Sequence, residues 1–236
     1  MGRDFEPAGR LCVETDGRTG GGLGSATLDE RARTMAGEAL RQGTARTLAL
    51  DDEHELLIEP VLGKPRLVIV GGGHVGLAIA RMASLLDYQV TVIEDRSDFA
   101  TRERFPDGVE VMHADMIEAL QTMDIGWNTF IVVATRGHKL DSHALRASVR
   151  TPARYVGLLG SRRKTILIER MLRDEGIAEE RLRAVHAPIG LDLGGRTPAE
   201  IALSILAELS AERYGGSARP LRLSAEIYDR AVAKQG

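Results

Sequence analysis

Residues 66–75 read RLVIVGGGHV, and Gly76 follows. The apolar run 67–70 reads as a buried strand that leads directly into Gly71-Gly72-Gly73-His74-Val75-Gly76. Beyond it, Val75, Ala78, Ile79, Met82, Ala83 and Leu86 recur with the spacing of one helix face. A second apolar run, 88–93, ends in Glu94-Asp95. Strand, G-x-G-x-x-G, helix, strand and terminal acid together form the full context of a dinucleotide-binding unit. In that context Gly71 permits the tight turn, Gly73 lets a pyrophosphate approach the backbone, and Gly76 lets helix and strand pack closely. The helix N-terminus offers N–H donors and the positive end of its dipole to a phosphate.

The alternation continues outward from this unit. After 88–93 come a loop or short helix at 97–105 and a short strand at 109–112. A strand at 128–134 follows, then a helix near 142–149 with Asp141 as its cap. Next come a strand at 155–159 and a helix at 162–173 with Leu167, Ile168, Met171 and Leu172 inward. A sixth strand is expected at 182–186. The closing helix spans 197–214, with Thr197 as cap, Pro198 at its first position and Glu200 completing a capping box. Strands alternating with helices predict an α/β fold, a Rossmann-like doubly wound parallel sheet with helices on both faces.

Upstream, 1–26 is Gly-rich and polar and reads as loop. A helix is expected at 27–42, with a Thr27/Glu30 capping box, a Leu28, Ala32, Met35, Ala36 and Ala39 stripe, and Gly43 as its stop. A strand at 56–61 is confined to an edge or end by Pro60. The expected organisation is a small N-terminal module over 1–63, a Rossmann-type domain over 64–216, and a polar tail over 217–236 with a helix around 224–233.

In a doubly wound sheet, the segments after each strand gather at the carboxyl edge, where ligands bind. Glu94 and Asp95 compete there for a ribose hydroxyl, whereas Arg96 suits a 2′-phosphate, so NAD and NADP both remain open. His74, between the fingerprint glycines, either contacts a phosphate or substrate or donates to a nearby carbonyl. His138 and Asp141 lie three residues apart in TRGHKLD and are the candidates for acid–base chemistry, although Asp141 also suits a helix N-cap. Ser161 reads as an N-cap that places Arg162, Arg163 and Lys164 in a first helical turn. Cations there oppose the helix dipole, which points to a bound anion. Asp192 is the acid of the glycine-rich 186–200 loop.

The chain has 236 residues, 43% hydrophobic and 28% charged, an ordinary globular balance. Its net charge of −3 gives no global attraction to nucleic acid or an anionic membrane. The single cysteine, Cys12, excludes an internal disulfide and a CxxC metal site. No apolar run approaches the ~20 residues of a membrane helix. MGRDFEPAGR lacks a signal-peptide hydrophobic segment, and the expected location is cytoplasmic. No metal site is expected.

GGGHVG, VTVIEDR, FATRERFP, TRGHKLD, YVGLLGSRRK and APIGLDLGGRTPAEIALSILAE, in this order, resemble the XdhC/CoxI family over roughly residues 55–214. These proteins are accessory factors for xanthine dehydrogenase and related molybdenum hydroxylases. The resemblance implies a Rossmann domain with a smaller N-terminal domain, a dimer, and binding of molybdenum cofactor. It also implies a maturation role, with the molybdenum hydroxylase apo-enzyme and a sulfurase as partners. The family's N-terminal cysteine is absent from the matching stretch, 19–24. The alternatives are an NAD(P)-dependent oxidoreductase and a nucleotide-sensing regulatory module.

Overall fold

The computed structural model describes residues 9–43, 45–50 and 55–222. The helix expected at 224–233 lies outside them. The chain begins with a hairpin, β1 (Arg10–Val13) and β2 (Thr19–Gly22), where sequence reading expects loop. Glycine hides this pairing because Gly20, Gly21 and Gly22 carry no side chains to alternate. Gly21 is nonetheless required: its φ is 82°, and a Cβ there would strike the Arg10 carbonyl oxygen.

α1 (Ala26–Gln42) starts one residue before the expected cap. Ser25 is its N-cap residue and makes no side-chain hydrogen bond, so the Thr27/Glu30 box does not form. Asp29 works instead, accepting the Leu23 N–H at 2.8 Å. Gly43 ends the helix in the left-handed conformation, as its sequence position implies. β3 (Arg46–Ala49) pairs antiparallel with β4 (Glu55–Ile58), which stops short of Pro60.

From β5 (Arg66–Val70) onward the fold is doubly wound. α2 (His74–Ala83), β6 (Gln89–Glu94), β7 (Glu110–His113), α3 (Met116–Thr122) and β8 (Thr129–Val133) come first. α4 (His138–Ser148), β9 (Tyr155–Leu158), α5 (Arg162–Asp174), α6 (Glu179–Arg183), β10 (Val185–His186) and α7 (Pro198–Tyr214) follow. All six sheet strands are parallel, in the order β10-β9-β8-β5-β6-β7. The order reverses between β5 and β8, which is where such sheets open a crevice.

The period of two divides the core. Leu67, Ile69, Phe130 and Val132 face Ile79, Ala80, Ile205 and Leu209 of α2 and α7. Val68, Val70, Ile131 and Val133 face Met116, Leu145 and Ile168 of α3, α4 and α5. Strands covered on both faces read as unbroken apolar runs, which is why they are visible in the sequence.

Three expectations need correction. Residues 182–186 are the end of α6 and a two-residue strand, not one strand. Leu167 is 46% exposed rather than inward, while Thr165 takes a buried position on α5. α4 begins at His138 with Gly137 as N-cap, so Asp141 lies inside its first turn and is not the cap.

Candidate ligand crevice

The glycine loop between β5 and α2 is set by close backbone contacts. Gly71 has φ 116° and donates its N–H to the Ile93 carbonyl at 2.8 Å; a Cβ would strike the Ala134 carbonyl. A Cβ on Gly76 would strike the Gly71 carbonyl oxygen and meet Ile69 Cγ2 at 3.4 Å. Gly73 differs, because a Cβ there meets nothing within 4 Å. The Leu77 N–H bonds to the Gly73 carbonyl at 2.9 Å, so the amides of His74, Val75 and Gly76 precede the first helical bond. These donors face the crevice side of the fold, as a phosphate cradle requires. His74 is exposed, its ring edge-on to Phe99 with centroids 6.5 Å apart.

Glu94 is fully buried. Its Oε2 accepts the Gly72 N–H at 2.7 Å and Arg96 Nη2 at 3.0 Å. Its Oε1 accepts the Arg96 amide at 3.1 Å and Arg96 Nε at 2.8 Å. Burial alone would raise this carboxyl, but the Arg96 fork and the two amides outweigh it and hold it at about 2. The Arg96 guanidinium lies 3.7 Å from the Phe99 ring centroid. Arg104 donates to the Gly72 carbonyl at 3.0 Å and the Phe99 carbonyl at 2.7 Å. Gly72 is thus held at both its N–H and its carbonyl. Asp95 is the acid left at the crevice, with its side chain 35% exposed. Burial and the adjacent Glu94 raise its carboxyl above the ordinary value.

On the other side of β5, Asp141 is fully buried and turns away from solvent. It accepts the Thr135 hydroxyl at 2.6 Å and forms an ion pair with Lys164. Lys164 Nζ also donates to the Leu159 carbonyl at 3.2 Å. His138 is exposed while Asp141 is enclosed, so the structure gives Asp141 Thr135 and Lys164 as partners. This buried pair is not legible in the sequence, because its members lie on different helices. Ser161 caps α5 by accepting the Lys164 amide at 3.3 Å, and Arg162 and Arg163 are exposed beside it.

Asp192 is exposed in the loop leading to α7. Glu200 makes the expected capping box, accepting the Thr197 and Arg196 amides at 2.9 Å each. A second cluster also escapes sequence reading. Glu208 accepts Tyr155 Oη at 2.7 Å and the Gly190 N–H at 2.6 Å, and pairs with His186 Nδ1 at 2.6 Å. Burial opposes ionisation of Glu208, but the His186 and Tyr155 hydrogen bonds prevail and lower its carboxyl. Among the described residues, no group of three or more His, Cys, Asp or Glu is placed to hold a metal ion. No helix among them is long and apolar enough to cross a membrane.

A parallel doubly wound sheet with a glycine loop at its switch point defines a Rossmann-type protein. The XdhC Rossmann domain matches residues 67–209, and the chain belongs to that family. It is 40% identical over 147 residues to YqeB, an uncharacterised protein of Escherichia coli, covering 62% of this chain and 27% of that protein. It is 28% identical over 175 residues to a probable xanthine dehydrogenase component of Bacillus subtilis, covering 73% of this chain and 51% of that one. A crystal structure of a xanthine dehydrogenase from Bacillus halodurans is similar, with a TM-score of 0.58 and 25% identity, over 76% of this chain and 51% of that one. The chain therefore spans about a quarter to a half of the length of these relatives.

Proposed function

We propose that this chain belongs to an accessory factor that binds molybdenum cofactor and delivers it to a xanthine dehydrogenase-type molybdenum hydroxylase. The observation that carries the reading is the glycine loop at the switch point, with unblocked space at Gly73 and three helical amides ahead of the first helical bond. Such a cradle suits the phosphate of a pterin cofactor as well as a dinucleotide pyrophosphate. Family membership supplies the xanthine dehydrogenase context. The amides of His74, Val75 and Gly76 would hold the phosphate, with Arg162 and Arg163 close to a second anionic group. The molybdenum centre supplies the redox chemistry in the client enzyme; this chain binds, orients and releases the cofactor.

A second reading draws on Lys164. An ammonium backed by a buried carboxylate at the carboxyl edge is the proton donor that an NAD(P)-dependent oxidoreductase needs. Co-expression with a molybdenum hydroxylase, followed by purification, separates the two. Molybdenum and pterin in near-equal amounts per chain are the expected result. Bound NAD(P) with turnover of an alcohol or carbonyl substrate, or a chain carrying neither cofactor, overturns the accessory-factor reading.

A further inference from the structure

β6 and β8 flank β5 in the sheet, so the residues that follow them stand on opposite sides of the glycine loop. Asp95 comes directly after β6, and Arg136 comes three residues after β8. Their side chains nonetheless meet, with Arg136 Nη2 3.9 Å from Asp95 Oδ2. The contact bridges the two loops beside the end of β5. It is long for an ion pair, and the Arg136 side chain is 62% exposed. Asp95 is no better held on its other side, where Arg96 Nε lies 4.0 Å away.

The other cations near the loop are committed. Arg96 forks onto Glu94, and Arg104 is bonded to the Gly72 and Phe99 carbonyls. Among the described residues, Arg136 has only the distant Asp95 carboxylate. It also sits immediately before Gly137, whose φ of 83° turns the chain into α4. The Asp95 backbone, by contrast, is fixed by His113 Nε2, 3.2 Å from its carbonyl.

We infer that Arg136 is an anion-contacting residue of this crevice, held across its mouth by Asp95 until a phosphate group displaces the carboxylate. The inference rests on the reading of the crevice as a phosphate site and names a residue of that site. Phosphate oxygens can take a guanidinium at two points and at shorter range than this carboxylate does. Once Arg136 turns to the phosphate, Asp95 is left as a like charge beside the ligand. The raised Asp95 carboxyl fits a group already crowded by negative charge from Glu94. The two partners therefore act with opposite sign: Arg136 favours the anion and Asp95 opposes it. A ribose-binding acid would act the other way.

The test is calorimetric titration of the full chain with inorganic pyrophosphate at low ionic strength. Arg136→Ala is expected to weaken binding by about fivefold or more, and Arg136→Lys by less. Asp95→Asn is expected to tighten it by about threefold. Ligand-free thermal midpoints should match the wild type, since both side chains reach solvent. If wild-type protein binds pyrophosphate and Arg136→Ala binds it equally well, the inference fails while the phosphate site stands. Weaker binding by Asp95→Asn makes Asp95 a direct ligand contact and also overturns the inference. A wild-type chain that takes no pyrophosphate removes the phosphate reading itself.

Discussion

The two sides of β5 are built differently. On the β6 side, every charged group near the glycine loop except Asp95 is tied down: Glu94 holds Gly72 and Arg96, and Arg104 holds Gly72 from the other pole. On the β8 and β9 side, one pair, Asp141 and Lys164, is internal, and Arg136, Arg162 and Arg163 reach solvent. The first side fixes the shape of the loop. The second leaves positive charge free for something that is not part of the chain. A fold can thus keep its cradle rigid and its recognition surface loose on either side of one strand.

The strongest way to break the comparison is to damage the fixed side at its tightest point. Gly76→Ala drives a Cβ into the Gly71 carbonyl oxygen, a backbone atom that cannot turn aside. We expect a loss of about 3 kcal/mol or more in chemical denaturation. Next comes Glu94→Gln, which leaves the Arg96 guanidinium without its carboxylate and should cost about 2–3 kcal/mol at neutral pH.

The Glu94 effect has a defined pH course. The folded carboxyl stands at about 2 against an ordinary 4.5. Its contribution is therefore complete above the ordinary value and disappears as pH falls through the folded one. The stability gap between wild type and Glu94→Gln should close between those two values. A gap that stays constant through this range would show that the carboxylate charge is not what holds Gly72.

Gly73→Asp tests the cradle without touching its frame. The added Cβ meets open space, so denaturation should shift by less than about 1 kcal/mol. Phosphate-ligand binding should be abolished, because a carboxylate then stands where the anion approaches. The smallest expected effect is on the open side. Arg162→Glu combined with Arg163→Glu should weaken a phosphate ligand by about tenfold or more. Ligand-free stability should hold level or rise by a few tenths to about 1 kcal/mol, because acids suit a helix N-terminus. Lost stability with unchanged affinity would mean that these arginines serve the fold.

What sequence reading captures and misses follows the same division between near and far. The glycine fingerprint, the Thr197/Glu200 box and the Gly43 stop are local patterns, and each appears where the sequence puts it. Asp141 reads as a cap because an acid before a helical stretch usually is one. Its actual partners, Thr135 and Lys164, are decided by how α4 and α5 pack. Tyr155, His186 and Glu208 meet only when β9, β10 and α7 come together, so no window of sequence shows them. α3 is only seven residues long, too short for a clear period, although Asp115 caps it through the Ile117 and Glu118 amides. Glu94 and Asp95 are indistinguishable by position; burial separates them, since one is enclosed and the other reaches the crevice.

The double hold on Gly72 bears on how such a loop can be transplanted. Its N–H answers to a residue 22 positions downstream, and its carbonyl to one 32 positions downstream. A chimera that received only the glycines would inherit the letters of the motif without its geometry. The portable piece runs from the start of β5 through Phe105, because Phe99, Arg96 and Arg104 travel with the loop they shape. Recombination that cuts inside this span separates the loop from its supports, whereas cuts outside it leave the loop intact.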